Sequence, residues 1–149
     1  MRISNFRVAV VVILLFAALA SARADSNWST DYKGSLLRAK AEKKLTLLNF
    51  TGSDWCLPCL RLRREVFDKP AFRDYARKNL VLVVVDFPLV KEQAPHVKSQ
   101  NESLAFKYDV HAYPALIVVD DDGRKVGCVK YRGGGPSAFI AQLRQLANS

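Results

Sequence analysis

The chain has 149 residues, 50% of them hydrophobic, with 23 Lys+Arg against 14 Asp+Glu and a formal net charge of +9. The basic residues are scattered among acids, and no basic run is interleaved with aromatics, which argues against a nucleic-acid surface. Three cysteines are an odd count, which argues against the purely structural disulfide framework of an exported domain.

Residues 1–24 read as an export signal. Arg2 and Arg7 precede an unbroken apolar run at residues 8–20, 13 residues long and too short to span a bilayer comfortably. Ala22-Arg23-Ala24 supplies a small-x-small cleavage site, and Ala20-Ser21-Ala22 a second. An uncleaved N-terminal anchor is the alternative. No cysteine lies near either site, which argues against a lipid-anchored form. Cleavage after Ala24 leaves residues 25–149 as one domain, long enough for a core. It removes Arg2, Arg7 and Arg23 and brings the formal charge from +9 to +6. The expected location is outside the cytoplasm, in the periplasm.

Residues 31–44 read as a first helix, with Tyr32, Leu36 and Ala39 on a weak face and Gly34 against it. Residues 45–50 are a buried strand, and Thr51-Gly52-Ser53-Asp54 turns the chain into Trp55-Cys56-Leu57-Pro58-Cys59. A helix follows over 57–67, with Cys59, Leu62 and Val66 on one face. Asp68 looks like a new N-cap, with Pro70 in the first turn of a helix over 71–78. The apolar run 80–85 has the pattern of a central strand buried on both faces. Residues 87–100, polar and carrying Pro88 and Pro95, read as a surface loop, followed by a short helix over 101–108. Residues 115–119 are another buried strand. Asp120-Asp121-Asp122-Gly123 is a tight turn that returns 124–131 as an antiparallel partner. After Gly133-Gly134-Gly135-Pro136, a helix over 137–147 buries Phe139, Ile140, Leu143 and Leu146. This order predicts an α/β fold, a mixed central sheet of about four strands with helices on both faces.

Cys56 and Cys59 therefore sit where a buried strand gives way to a helix. The free amides and dipole of a helix start stabilise a thiolate there. Such a pair can close a small disulfide ring or hold half of a metal site. Trp55 and Pro58 favour the ring. Zinc needs four ligands, and no second close pair exists. Copper would want a well-placed histidine or methionine, and residues 25–149 contain no methionine. No metal and no cofactor are expected. Cys56, first of the pair, is expected to cap the helix and face solvent as the attacking thiol. Cys59, on the face of Leu62 and Val66, is the more buried resolving thiol. Cys128, in a strand-like run, is expected to be a small buried core residue. His111 could lie near the site or only on the surface, and His96 is expected to be solvated.

The chain resembles the thioredoxin superfamily over nearly all of residues 31–147. The resemblance rests on the Trp-Cys-x-x-Cys motif at 55–59 and on Val110-His111-Ala112-Tyr113-Pro114-Ala115 before the later strand. The final hairpin and helix agree in order. Phe50-Thr51-Gly52-Ser53-Asp54-Trp55-Cys56, Glu65-Val66-Phe67 and the long middle loop look more like exported bacterial thioredoxin-like proteins than small cytosolic thioredoxins. The resemblance implies the thioredoxin fold and a thiol–disulfide oxidoreductase. It implies a cis bond before Pro114 beside the dithiol, with the Tyr113 backbone offered to an extended substrate chain. Trp55 and Pro58 would shape the site, so Trp55, Pro58, Tyr113 and Pro114 are the expected substrate-binding residues. Two positions depart from the family pattern. Asn49 stands about where thioredoxins keep a buried acid that assists proton transfer to the second thiol. Leu60 follows the second cysteine where a lysine is common, with Arg61, Arg63 and Arg64 further on. The expected function is reduction or isomerisation of disulfides in exported proteins, with protein disulfides as partners and a membrane thiol transporter as electron donor. The alternatives are a disulfide-forming oxidase, or a binding or chaperone-like module whose disulfide is only structural.

Overall fold

The computed structural model describes residues 27–148. The expected export signal, residues 1–24, lies outside them. The chain runs β1 (Trp28–Ser29), α1 (Tyr32–Glu42), β2 (Leu45–Thr51), α2 (Leu57–Leu62), a π-helical turn (Arg63–Phe67), α3 (Pro70–Asn79) and β3 (Leu80–Asp86). It continues with α4 (Pro95–Lys107), β4 (Ala115–Val119), β5 (Lys125–Val129) and α5 (Gly135–Ala147). The sheet order is β1-β3-β2-β4-β5. β3 is parallel to β1 and β2, while β2–β4 and β4–β5 are antiparallel. The mixed sheet thus has five strands, the fifth being the two-residue edge strand β1. It is too short for any periodicity to reveal.

β2 is the centre of the molecule, buried from Thr46 onward. Its side chains alternate between two cores, as a pleated strand requires. Leu47 joins Leu62, Val66, Phe67, Phe72, Phe139 and Leu143 beneath α2, α3 and α5. Leu48 and Phe50 join Tyr32, Leu104 and Tyr108 beneath α1 and α4. Helices therefore cover both faces. Among the described residues no helix is long and apolar enough to cross a membrane.

Four local expectations change. The helix after the dithiol is not α-helical to its end. Asp68 N–H reaches Arg63 O at 2.8 Å, a π-type bond that turns both Val66 and Phe67 into the core. Asp68 therefore closes that turn instead of capping α3. Lys69 holds the N-cap position without a side-chain bond, and the Asp68 carboxylate lies 3.6–3.7 Å from Arg63 and Arg73. α4 begins at Pro95, six residues earlier than expected, with Pro95 in the first turn, where its missing N–H costs nothing. His96 is thus helical, though exposed. Cys128 is exposed rather than buried. It faces Ile117 across the β4–β5 ladder on an edge strand, while its neighbour Val129 takes the covered side.

Gly123 closes the β4–β5 turn at φ 74°, and a Cβ there would stand 2.4 Å from the Tyr32 hydroxyl. Tyr108 Oη, 2.5 Å from Tyr32 Oη, donates to Gly123 O at 2.9 Å. Burial, then the Tyr32 hydroxyl, raises the Tyr108 pKa well above its usual value.

Candidate functional site

The site forms at the C-terminal end of β2, where the chain leaves the sheet for α2. Gly52 O accepts the N–H groups of Trp55 (3.3 Å) and Cys56 (2.9 Å), closing the turn. A side chain at 52 is impossible without moving Trp55, because a Cβ would fall 2.3 Å from the indole. Cys56 is the N-cap of α2, and its Sγ accepts the Cys59 N–H at 3.3 Å. Pro58 lies in the first turn and has no N–H to offer, so the Cys59 amide is the first-turn donor aimed at that sulfur.

Cys56 and Cys59 form a disulfide, with Cα atoms 5.3 Å apart. The expected difference in exposure is absent: Cys56 is 3% exposed and Cys59 5%. The two sulfurs differ instead in surroundings. Cys56 is flanked in sequence by exposed Trp55 and Leu57, whereas Cys59 lines a cleft. Asn49 lies on the same face of β2 as Leu47, one step nearer the strand's end. Cys59 lies one turn before Leu62, which packs with Leu47. Asn49 and Cys59 accordingly line one cleft, with Thr51, Ser53, Leu60 and Arg63. Asn49 is 9% exposed, and its buried Oδ1 has no hydrogen-bond partner.

Tyr113 and Pro114 are brought to the same end of the sheet. The bond between them is cis, and both residues are half-buried. The Tyr113 ring stands edge-on to Trp55 at 5.9 Å and 5.2 Å from Phe87. Trp55 Nε1 donates to Phe87 O at 2.8 Å. The four residues expected to bind substrate, Trp55, Pro58, Tyr113 and Pro114, thus share one end of the molecule with the disulfide. His111 does not contribute a ring to this cluster. It is exposed and sits 2.6 Å from the Asp109 carboxylate.

Sequence reasoning passed over the segment after β3. Phe87 N–H bonds Thr51 O at 2.9 Å, and Asp86 takes Ser53 N–H (2.9 Å) and Oγ–H (2.5 Å). The amide groups of Gln93 and Asn101 both donate to Asp86 O. Asp54 accepts N–H bonds from Leu89 (2.9 Å), Val90 (2.8 Å) and Lys91 (2.9 Å). The Leu89 and Lys91 amides hold its pKa down to about 2. The sequence signal here is the adjacent apolar pair Leu89-Val90 within residues 87–100.

Residues 32–147 match the family model of a thioredoxin-like domain. The chain is 29% identical over 123 residues to the disulfide bond reductase DsbH of Chlamydia pneumoniae, spanning 83% of this chain and 74% of that protein. It is 29% identical over 99 residues to the thioredoxin-related protein DsbJ of the same organism, spanning 66% of this chain but 28% of DsbJ. A solved DsbH oxidoreductase superposes with a TM-score of 0.77 at 28% identity, covering 81% of this chain and 83% of that one.

Proposed function

We propose, for a chain that belongs to the thioredoxin-like domain family and is a thiol–disulfide oxidoreductase, that it reduces or isomerises disulfides of exported proteins through Cys56 and Cys59. The observation that carries this reading is the Cys56–Cys59 disulfide at the start of α2. In the reduced protein Cys56 is the nucleophile. The Cys59 amide already directed at its sulfur, with the helix start behind it, lowers the cost of the thiolate. The thiolate attacks one sulfur of a substrate disulfide, forming a mixed disulfide and expelling the other sulfur as a thiolate. Cys59, deprotonated in turn, attacks Cys56 Sγ. The second substrate thiolate leaves and the ring closes, so two electrons have passed to the substrate. Trp55, Pro58, Tyr113 and Pro114 surround the approach and form the substrate-binding surface.

Export is part of the proposal. It is supported by the signal-like residues 1–24. The location proposed is the periplasm, and a membrane thiol transporter would return the protein to its dithiol form. The enzymatic test uses a protein disulfide and the reduced protein. Cys56→Ser abolishes turnover. Cys59→Ser makes one attack and accumulates a mixed disulfide through Cys56, visible by mass spectrometry. Turnover by Cys56→Ser equal to that of the parent would remove Cys56 from the reaction.

A further inference from the structure

Attack by Cys56 fixes where a polypeptide substrate must lie. Its half-cystine has to reach a sulfur whose residue is only 3% exposed. The substrate residues on either side, about 3.3 Å apart along an extended chain, must settle on the surface around Cys56. Exposed apolar side chains flank Cys56 in sequence or belong to a segment tied to Asp54 and Trp55 just before it. Trp55 is 42% exposed, Leu57 76%, Leu89 76% and Val90 85%. The other large apolar side chains exposed among the described residues, Leu37, Phe106 and Val126, sit on α1, α4 and β5.

Leu89 and Val90 come from a different segment than Trp55 and Leu57, yet they are fastened to it. Asp54, next to Trp55, uses both carboxylate oxygens to hold the N–H groups of Leu89, Val90 and Lys91. Trp55 ties itself to Phe87 O, two residues before Leu89. With their backbones turned to Asp54, Leu89 and Val90 expose most of their side chains and add little to the core. A rigid backbone presenting two bare aliphatic side chains beside a reactive disulfide is arranged for a partner.

We propose that Leu89 and Val90, with Trp55 and Leu57, form a shelf that receives an apolar side chain flanking the half-cystine of a polypeptide substrate, and that Asp54 is the positioning residue that holds the shelf. This deepens the function proposed above and rests on it. The substrate class is then an extended or unfolded chain with apolar residues next to its cysteine, since such residues are buried in folded proteins.

The test uses the full reduced protein and three substrates: a small aromatic disulfide and two disulfide-bearing peptides of equal length. One peptide has Leu and Val beside its cysteine, the other Ser and Lys. The parent favours the apolar peptide in kcat/KM by about tenfold, the effect of partly burying one aliphatic side chain. Leu89→Ser with Val90→Ser removes that preference through KM, and leaves the small disulfide within about twofold of the parent. Asp54→Ala does the same, because the Leu89, Val90 and Lys91 amides lose the carboxylate that holds them. Equal rates on the two peptides in the parent, or an undiminished preference in the double variant, would overturn the shelf. Failure of the parent to reduce the small disulfide would instead overturn the oxidoreductase reading itself.

Discussion

Asn49 stands in the site about where the sequence resemblance leads one to expect a buried acid. Its Oδ1 is buried without a partner on the wall that also carries Cys59. An unpaired buried acceptor costs about 1–3 kcal/mol, so its retention beside a reactive sulfur calls for a test. Asn49→Asp places a carboxyl in the same spot. Burial raises such a group's pKa above its unfolded value. The variant is then unpenalised below about pH 4, where both states are protonated. It loses stability relative to the parent as pH rises and the unfolded chain alone ionises. The same carboxyl offers a base to Cys59, so the pH profile of the resolving step shifts as well. Urea unfolding from pH 4 to 7 and stopped-flow resolution of a mixed disulfide measure the two effects. Superimposable profiles for parent and variant would place position 49 away from the dithiol. Cys56, Cys59 and Asn49 were legible as residues in the sequence. The equal burial of the two cysteines was not, because helix periodicity places Cys59 on the covered face but says nothing of what covers the N-cap residue Cys56.

Among elements, the segment between β3 and α4 was the least legible. Residues 87–100 carry Pro88 and Pro95 and resemble a loop, and Pro95 reads equally as a breaker or as the first turn of a helix. Only Asn101 and Leu104 of α4 are fully buried, so no apolar stripe announces its first half. The tether from Asp54 was invisible for another reason: it joins residues 35 to 37 positions apart. That tether has a pH signature. Asp54 has a folded pKa of about 2 against a reference of 3.8. A depressed pKa gives stability that is fully present above the unfolded value and is lost as pH falls towards the folded one. The parent's stability advantage over Asp54→Asn should therefore shrink between about pH 4 and pH 2. Chemical unfolding of both proteins across that range reads it. A constant difference would mean that the carboxylate's three bonds persist on protonation. Cys128 was misread because a strand-like run does not tell an edge strand from a central one. Val129 of the same strand packs into the core beneath α5, whereas Cys128 points to the opposite face of β5 and is exposed there.

For the molecule as a whole, the architecture was legible because its two cores are written in alternation. Residues 45–51 and 80–86 each bury nearly every side chain, as central strands must, and the helices between them bring apolar faces to both sides. What sequence left out of the architecture was one π-turn, a two-residue edge strand and the start of α4. The same scaffold fixes the dithiol between the end of β2 and the start of α2, and the redox balance of that dithiol sets the direction of electron flow. That direction depends on how far each redox state of the Cys56–Cys59 pair is stabilised. Equilibration of the full protein with redox buffers, read by alkylation of Cys56 and Cys59, measures the balance. A reductase or isomerase of exported disulfides gives a potential between about −270 and −180 mV. A value near −120 mV would make the protein an oxidant, and one well below about −300 mV would make the disulfide a structural staple; either would contradict the proposed function.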